Sequence, residues 1–275
     1  MTIEEAIIYG KKYLHTTMVK MLLSRITSID SLNLLNNLNY KLNTEQEKEF
    51  KELIDAVKND KPIQYVLGSV NFYGLELIVN ENVLIPRFET EQLVEQTIKL
   101  INAKFRDKHI SILDLCTGSG AIGLRLKSEY PSNNVTLSDI SAKALEVASK
   151  NRDKLNLECD IIQSDLFEKI SNKYDLIISN PPYIKEGEEI EDIVKNNEPS
   201  MALYGGKDGL DYYERILKEI KNYLNDEFLI AFEIGCTQKD DVSRLAYRYL
   251  DNIEIYSKED LSGRDRMIFI VNKGA

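Results

Sequence analysis

Metal ligands and thiols are scarce in this chain: three cysteines and two histidines among 275 residues. Cys116, Cys159 and Cys236 lie far apart, and neither a CxxC pair nor a zinc spacing occurs. His15 and His109 cannot complete a metal set with them, so no metal is expected and both read as surface or packing residues. Long apolar runs are missing too. None approaches the ~18 residues of a membrane span, so no membrane partner is expected. The opening "MTIEEAIIYGKKYL" carries Glu4 and Glu5 early and has no apolar stretch with a small-residue cleavage site. That excludes a secretory signal or an Arg-rich transit peptide and leaves the cytoplasm as the expected location. Positive charge is in deficit, with 35 Lys and Arg against 45 Asp and Glu and a net charge of -10. A chain of this sign does not depend on nonspecific attraction to phosphate backbones, although a local basic patch is compatible with it. Internal repeats and low-complexity tracts are absent.

What remains is ample for folding. Hydrophobic residues make up 43% of the chain, enough for a sizeable core, and the length suggests one or two domains. Residues 1–65 read as a helical domain. "TIEE" (Thr2 to Glu5) and "TEQE" (Thr44 to Glu47) both fit a capping box, a hydroxyl three residues before a carboxylate. After the second, Phe50, Leu53, Ile54 and Val57 fall at helical spacing on one face. "KNDKP" closes that helix. Residues 66–90 are rich in β-formers, with turn signals at Gly74 and "NEN", and read as a hairpin linker. Residues 91–275 form the second domain, beginning with a helix that places Leu93, Val94, Ile98 and Ile101 on one face.

From residue 110 strands alternate with helices, which implies a parallel sheet. The expected strands are 110–115, 134–139, 160–165, 174–179 and 227–234. Two later ones, "NIEIYS" and "RMIFIV", lie too close for an intervening helix and are expected to pair antiparallel.

The turn after the first of these strands, "DLCTGSGAIGL", matches G-x-G-x-x-G at Gly118, Gly120 and Gly123. Asp139 follows about 20 residues later at a strand end, where a carboxylate can accept from ribose hydroxyls. On the motif alone, NAD and S-adenosylmethionine both remain open. In an open parallel sheet, ligands lie beyond the carboxyl ends of the strands. Asp114, Asp139, Asp165 and Asn180 should therefore gather along one edge.

On that edge sits "NPPY", Asn180 to Tyr183. Proline lacks a donor and is out of place inside a central strand, and X-Pro junctions stiffen the segment. The Asn180 side-chain carbonyl and the Pro181 backbone carbonyl, held at fixed positions, can accept both hydrogens of a planar NH2 group. Tyr183 offers a flat ring beside it. Such a grip on a delocalised nitrogen makes attack on a methyl group a matter of position and electrostatics.

"NPPY" after this glycine loop resembles the amino-methyltransferases. "QYVLGSVNFYGLELIVNENVLIPRFETE", "DLCTGSGAIGL", "SDISAKALEVASKN", "EPSMALYGGKDGL", "EIGCTQ" and "DLSGRDR", in this order, narrow the resemblance to the release-factor glutamine methyltransferase family. It runs from about Gln64 to Arg266 and leaves a helical domain of suitable size before it. The resemblance implies an α/β fold with a seven-stranded, Rossmann-like class I methyltransferase sheet. It implies methyl transfer from S-adenosylmethionine to the side-chain amide nitrogen of the glutamine in the Gly-Gly-Gln motif of class I peptide-chain release factors. Carried over by position, Cys116, Thr117, Gly118, Ser119 and Gly120 hold the cofactor's methionine end and Asp139 its ribose, with Leu166 near the adenine. Asn180, Pro181, Pro182 and Tyr183 bind the glutamine amide, with Asn180, Pro181 and Tyr183 the catalytic set and Asn180 also beside the cofactor. The family's commonest loop has glycine where this chain has Cys116, which puts the local backbone angle in question. Cys116 reads as a small buried residue rather than a reactive thiol. Some relatives have an aromatic at the Leu166 position; leucine leaves an apolar contact without stacking. Arg87 either contacts the substrate backbone or pairs with Glu89 or Glu91. "GGKDGL" either orders a loop over the site or makes a glycine turn before a helix near Asp211. The alternatives weighed are an adenine-specific nucleic-acid methyltransferase, disfavoured by the charge and the lack of a base-reading domain, a nicotinamide-dependent oxidoreductase, and a non-catalytic binding module. No direct nucleic-acid partner is expected, and a monomer is favoured.

Overall fold

A computed structural model describes residues 1–106 and 108–273; residue 107 and the last two residues of the 91–275 reading lie outside the described residues. The chain divides into two units, one of residues 1–69 with 191–197, the other of residues 70–190 with 198–275.

The first unit is helical: α1 (Ile3–Gly10), α2 (Thr16–Thr27), α3 (Thr44–Lys58) and α4 (Ile63–Leu67). The Thr2–Glu5 capping box forms as expected. The second box is shifted by one residue. Asn43 is the N-cap and exchanges bonds with Gln46, so "NTEQ" rather than "TEQE" opens α3. An asparagine caps as well as a hydroxyl residue does, and it leaves Thr44 and Glu45 in the first turn, where a carboxylate meets the positive end of the helix dipole. His15 caps α2, its Nδ1 accepting from the Thr17 amide at 3.4 Å. Phe50 and Ile54 are fully buried against Val19, Leu22, Leu23 and Leu34, with Leu53 and Val57 at the margin of that core.

The second unit begins with a two-stranded hairpin, β1 (Ser69–Phe72) and β2 (Leu75–Ile78). Then come α5 (Phe88–Lys104), β3 (Ser111–Leu115), α6 (Ala121–Glu129), β4 (Asn134–Asp139), α7 (Ala142–Lys154), β5 (Asp160–Gln163) and β6 (Tyr174–Ser179). α8 (Asp192–Asn197) groups with the first unit. The chain closes with α9 (Asp211–Glu219), β7 (Leu224–Glu233), α10 (Lys239–Tyr249), β8 (Ile253–Glu259) and β9 (Asp265–Asn272). The seven-stranded sheet runs β5-β4-β3-β6-β7-β9-β8. Its first five members are parallel, and β9 pairs antiparallel with both β7 and β8, as the short spacing between the last two strands requires. The 160–165 strand ends earlier than expected, at Gln163.

Each central strand is apolar on both faces because helices cover both. Ile112, Leu176, Ile178 and Leu229 point into one layer with Leu93, Val94 and Ile101 of α5 and Leu124 of α6. Leu113, Ile177, Ile230 and Phe232 point into the other with Tyr213, Ile216 and Leu217 of α9 and Val242 of α10. Chain order reverses between β3 and β6: β4 and β5 extend one way from β3, and β6 and β7 the other. The loops following β3 and β6 therefore flank the point where a crevice opens at the carboxyl edge.

Candidate active site at the carboxyl edge of the sheet

A cavity of about 270 Å³ occupies that crevice, close to the lower end of small-molecule sites. Its walls include Cys116, Thr117, Gly118 and Ser119 from the loop after β3, Asp139 from the end of β4, Asp165 and Leu166 after β5, and Asn180 and Pro182 after β6. Four chain segments remote in sequence thus meet at one edge. Gly120, Pro181 and Tyr183 stand outside this lining.

The glycine loop is locked by its own βα unit. Asp114, fully buried, faces back toward α6 rather than the cavity. Its Oδ2 accepts from the Thr117 hydroxyl and, at 2.8 Å, from the Gly123 amide. Burial pushes the Asp114 carboxyl up to about 7, against the pull of those two bonds. Gly123 is glycine for space: a Cβ there would lie 2.2 Å from Leu137 and 3.0 Å from Asp114. Gly120 turns into α6 with φ +84°, and its added Cβ would strike Leu124 at 2.9 Å. Its job is the helix start, which explains its place off the cavity wall.

Cys116 adopts φ +62° and Leu166 φ +48°. The left-handed region costs a non-glycine residue roughly 1–2 kcal/mol. The backbone at 116 thus takes the glycine-like conformation in spite of the side chain. Burial, and after it the Asp139 carboxylate, pushes the Cys116 thiol well above its ordinary range. A thiol so held stays protonated and unreactive at neutral pH.

Asp139 reaches across to the glycine loop: its Oδ2 accepts from the Gly118 amide and its Oδ1 from Ser141, both at 2.9 Å. Burial raises this carboxyl, opposed by the backbone amides of Ser141, Gly118 and Ile140. A carboxylate has about four acceptor positions, so capacity remains on the cavity side. Beside it Ser138 Oγ is buried without a hydrogen-bond partner among the described residues, and Ser138 also lines the cavity. Asn151 was not singled out from the sequence. Buried on α7, it accepts from Ile78 N (2.6 Å) and donates to Ile78 O (3.0 Å) and Ser119 O (2.9 Å), tying the hairpin to the glycine loop.

The proline loop is held differently. Pro181 and Pro182 are buried, Asn180 and Tyr183 half-buried. The Tyr183 carbonyl accepts from Gln238 Nε2 at 2.9 Å, and the same amide nitrogen donates to Gly209 O at 3.1 Å. Gly205 N donates to Ile184 O at 2.9 Å. Asn180 Nδ2 donates to Thr90 Oγ1 at 3.2 Å, and Thr90 Oγ1 donates to Glu233 Oε2 at 2.6 Å. Tyr183 OH donates to Glu233 Oε1 at 3.2 Å. Among the described residues nothing donates to Asn180 Oδ1 or to the Pro181 carbonyl. The Tyr183 ring packs on the α9–α10 layer, with its hydroxyl spent on Glu233.

Arg87 pairs with neither Glu89 nor Glu91. Its partner is Glu198, at 2.5 Å, whose other oxygen accepts from Ile85 N at 3.0 Å. The carboxylate side chain is only 2% exposed, a condition that calls for a paired cation; Glu91 is engaged by the Tyr73 amide instead. "GGKDGL" does begin a helix at Asp211, and its glycines also pack on the proline loop. An added Cβ at Gly205 would lie 2.4 Å from Pro182 O. Thr90, Glu233, Gln238 and Glu198 all fall within the motif segments of the sequence, but their spacing carries no sign of a shared partner. Among the described residues no metal-binding cluster forms, and no helix is long and apolar enough to cross a membrane.

Residues 90–197 match the model of the Methyltransferase small domain, and residues 14–68 that of the PrmC N-terminal domain. The chain is 38% identical over 255 residues to a release factor glutamine methyltransferase of Bacillus cereus, covering 91% of this chain and 90% of the relative. It is 41% identical over 236 residues to one of Streptococcus pneumoniae, covering 85% and 83%. Among solved structures, a methyltransferase from Pyrococcus furiosus superposes with a TM-score of 0.54 at 16% identity, over 85% of this chain and all (100%) of that one, a likeness of fold. With this sheet, this crevice and relatives matched along nearly their whole length, the chain belongs to the release factor glutamine methyltransferase family.

Proposed function

We propose that this enzyme transfers a methyl group from S-adenosylmethionine to the side-chain amide nitrogen of the glutamine in the Gly-Gly-Gln motif of class I peptide-chain release factors. The observation that carries the reading is Asn180 on the wall of the glycine-loop crevice, with its Oδ1 and the carbonyl of the adjoining Pro181 free of donors among the described residues.

The residues fit the cofactor. Ser138 Oγ, buried and unpartnered on the cavity wall, and the cavity side of the Asp139 carboxylate suit ribose hydroxyls. The Cys116–Ser119 wall suits the methionine end, and Leu166 an apolar base edge. When bound, S-adenosylmethionine supplies an electrophilic sulfonium methyl and is left as a neutral thioether. The chain's own part is to prepare the nitrogen. An amide lone pair is delocalised into its carbonyl. Asn180 Oδ1 and Pro181 O, accepting from its two N–H groups, push density back and fix its direction. The nitrogen forms one N–C bond and gives up one proton. No base is required to take that proton before the bond forms, because a methylated amide nitrogen is strongly acidic. Catalysis on this reading is positioning and electrostatics. The helical domain of residues 1–65 is assigned to release-factor recognition, with the cytoplasm as the place where substrate and enzyme meet.

Incubation of the enzyme with labelled cofactor and purified release factor, followed by mass-spectrometric mapping, tests the reading; label on any residue other than that glutamine, or on nucleic acid alone, refutes it. Asn180→Ala is expected to lower turnover about 100-fold while adenosylhomocysteine affinity, measured by calorimetry, stays within a few fold.

A further inference from the structure

The chain from Asn180 through Thr90 to Glu233 has a direction that the proline motif does not specify. An asparagine amide can present either its oxygen or its NH2 to a ligand, and a flipped Asn180 would offer a donor to the substrate's donor. Which way it points depends on what holds its other end. The two Glu233 oxygens accept separately, Oε2 from Thr90 Oγ1 at 2.6 Å and Oε1 from Tyr183 OH at 3.2 Å. Glu233 is 1% exposed; burial raises its carboxyl, opposed by the Thr90 hydroxyl, the Arg266 guanidinium and the Tyr183 hydroxyl, and both of its oxygens stand as acceptors in this geometry. A carboxylate can only accept. The Thr90 hydroxyl has one proton, and Glu233 takes it. What Thr90 Oγ1 can then offer Asn180 is a lone pair, so the Asn180 group at 3.2 Å must be the NH2 and Oδ1 must face the other way.

We propose that Thr90 and Glu233 are positioning residues that set the amide orientation of Asn180, so that the reacting nitrogen meets an acceptor and not a donor. This rests on the functional reading above. Thr90 lies in the first turn of α5 and Glu233 at the end of β7, 143 positions apart. Neither contributes chemistry to the transferred group; each acts through Asn180.

The test compares Thr90→Val, isosteric but unable to donate or accept, with Thr90→Ser, which keeps the hydroxyl, and with Glu233→Gln. In Glu233→Gln the new NH2 can donate to Thr90, freeing the hydroxyl proton for Asn180 Oδ1 and favouring the flipped amide. Expected are a fall in kcat of about 100-fold for Thr90→Val, the cost of misplacing a reacting group, with KM for release factor and adenosylhomocysteine Kd within about threefold. Thr90→Ser should keep kcat within a few fold of the parent, and Glu233→Gln should resemble Thr90→Val. Two results overturn the inference: Thr90→Val turning over at the parental rate, or Thr90→Val losing cofactor affinity and thermal stability along with turnover, which is a merely structural role. Should the unmodified enzyme leave the glutamine unmethylated, the functional reading itself fails, whatever the variants do.

Discussion

The loops after β3 and β6 lie on adjacent strands and face one crevice, but they are made rigid by opposite means. The glycine loop is self-contained. Asp114, Thr117, Gly118, Gly123 and Asp139 bond among themselves within about two dozen residues of chain, with Asn151 and Ser179 adding bonds to Ser119 and Leu115 from further on. The proline loop lacks amide donors of its own at two positions. It is fixed by Thr90, Gly205, Gly209, Glu233 and Gln238, drawn from three other segments. A loop that binds a rigid cofactor can be encoded locally. One that must hold two carbonyl oxygens free of partners needs its remaining groups tied down from outside, because any internal bond would consume those oxygens.

The sharpest way to break this contrast is at Gly209. Its φ is +76°, and an added Cβ would lie 2.2 Å from Tyr183 O and 2.5 Å from Gln238 Nε2. Gly209→Ala should displace the proline loop, with a loss of about 2 kcal/mol or more in stability and about 100-fold in turnover, while adenosylhomocysteine binding survives. Chemical denaturation, steady-state kinetics and calorimetry read the three separately; a parental kcat would show that the loop does not lean on the Gly205–Gly209 segment.

An intermediate effect is expected in the local loop. Asp114, pushed up to about 7 from 3.8, binds a proton on folding between those values. The native state then holds more protons than the unfolded one, so stability falls as pH rises from about 4 to about 7 and levels off above. Asp139 and Glu233, also raised, add slope of the same sign. Asp114→Asn keeps an acceptor for Thr117 and Gly123 and removes the titration. The drop in Tm from pH 5 to pH 8 should shrink by a few degrees; an unchanged drop would place the slope elsewhere.

The smallest effect is expected at Cys116. Cys116→Gly relieves the φ of +62°, worth roughly 1–2 kcal/mol, and gives most of it back in side-chain contact and in unfolded-chain entropy. A rise in Tm of about 1–3 °C is expected, with cofactor affinity unchanged. Cys116→Val should lower Tm, since a β-branched residue resists that region more strongly. A Tm for Cys116→Gly well below the parent would mean that packing at 116 outweighs backbone strain.

The same contrast governs what could be read beforehand. The strands over 134–139 and 174–179 coincide with β4 and β6: the first carries β-branched and apolar residues ahead of Asp139, and the second the apolar run Leu176–Ile178 of a strand covered on both faces. The terminal antiparallel pair followed from a gap too short for a helix. The glycine loop was visible because its spacing is its mechanism. For the converse reason the Arg87 pairing offered by the sequence is corrected: charge proximity pointed to Glu89 and Glu91, whereas the carboxylate partner lies 111 positions away in a buried pair. The second capping box slipped by one residue because Asn43 and Thr44 can both cap and each has a box partner three residues on, Gln46 and Glu47 respectively.

By itself the sequence determined the alternation of strand and helix, the stiffness of Asn180-Pro181-Pro182 and the left-handed turns at the glycines, since these arise from hydrophobic period and from covalent limits on φ. Only the tertiary structure decided that Thr90 and Glu233 stand behind Asn180, that Gln238 holds the Tyr183 carbonyl, and that Glu198 answers Arg87. Those are single hydrogen bonds between groups more than fifty residues apart. A lone polar residue leaves no periodic trace in the chain; it acquires a partner only when strand order and helix packing bring the two to the same edge.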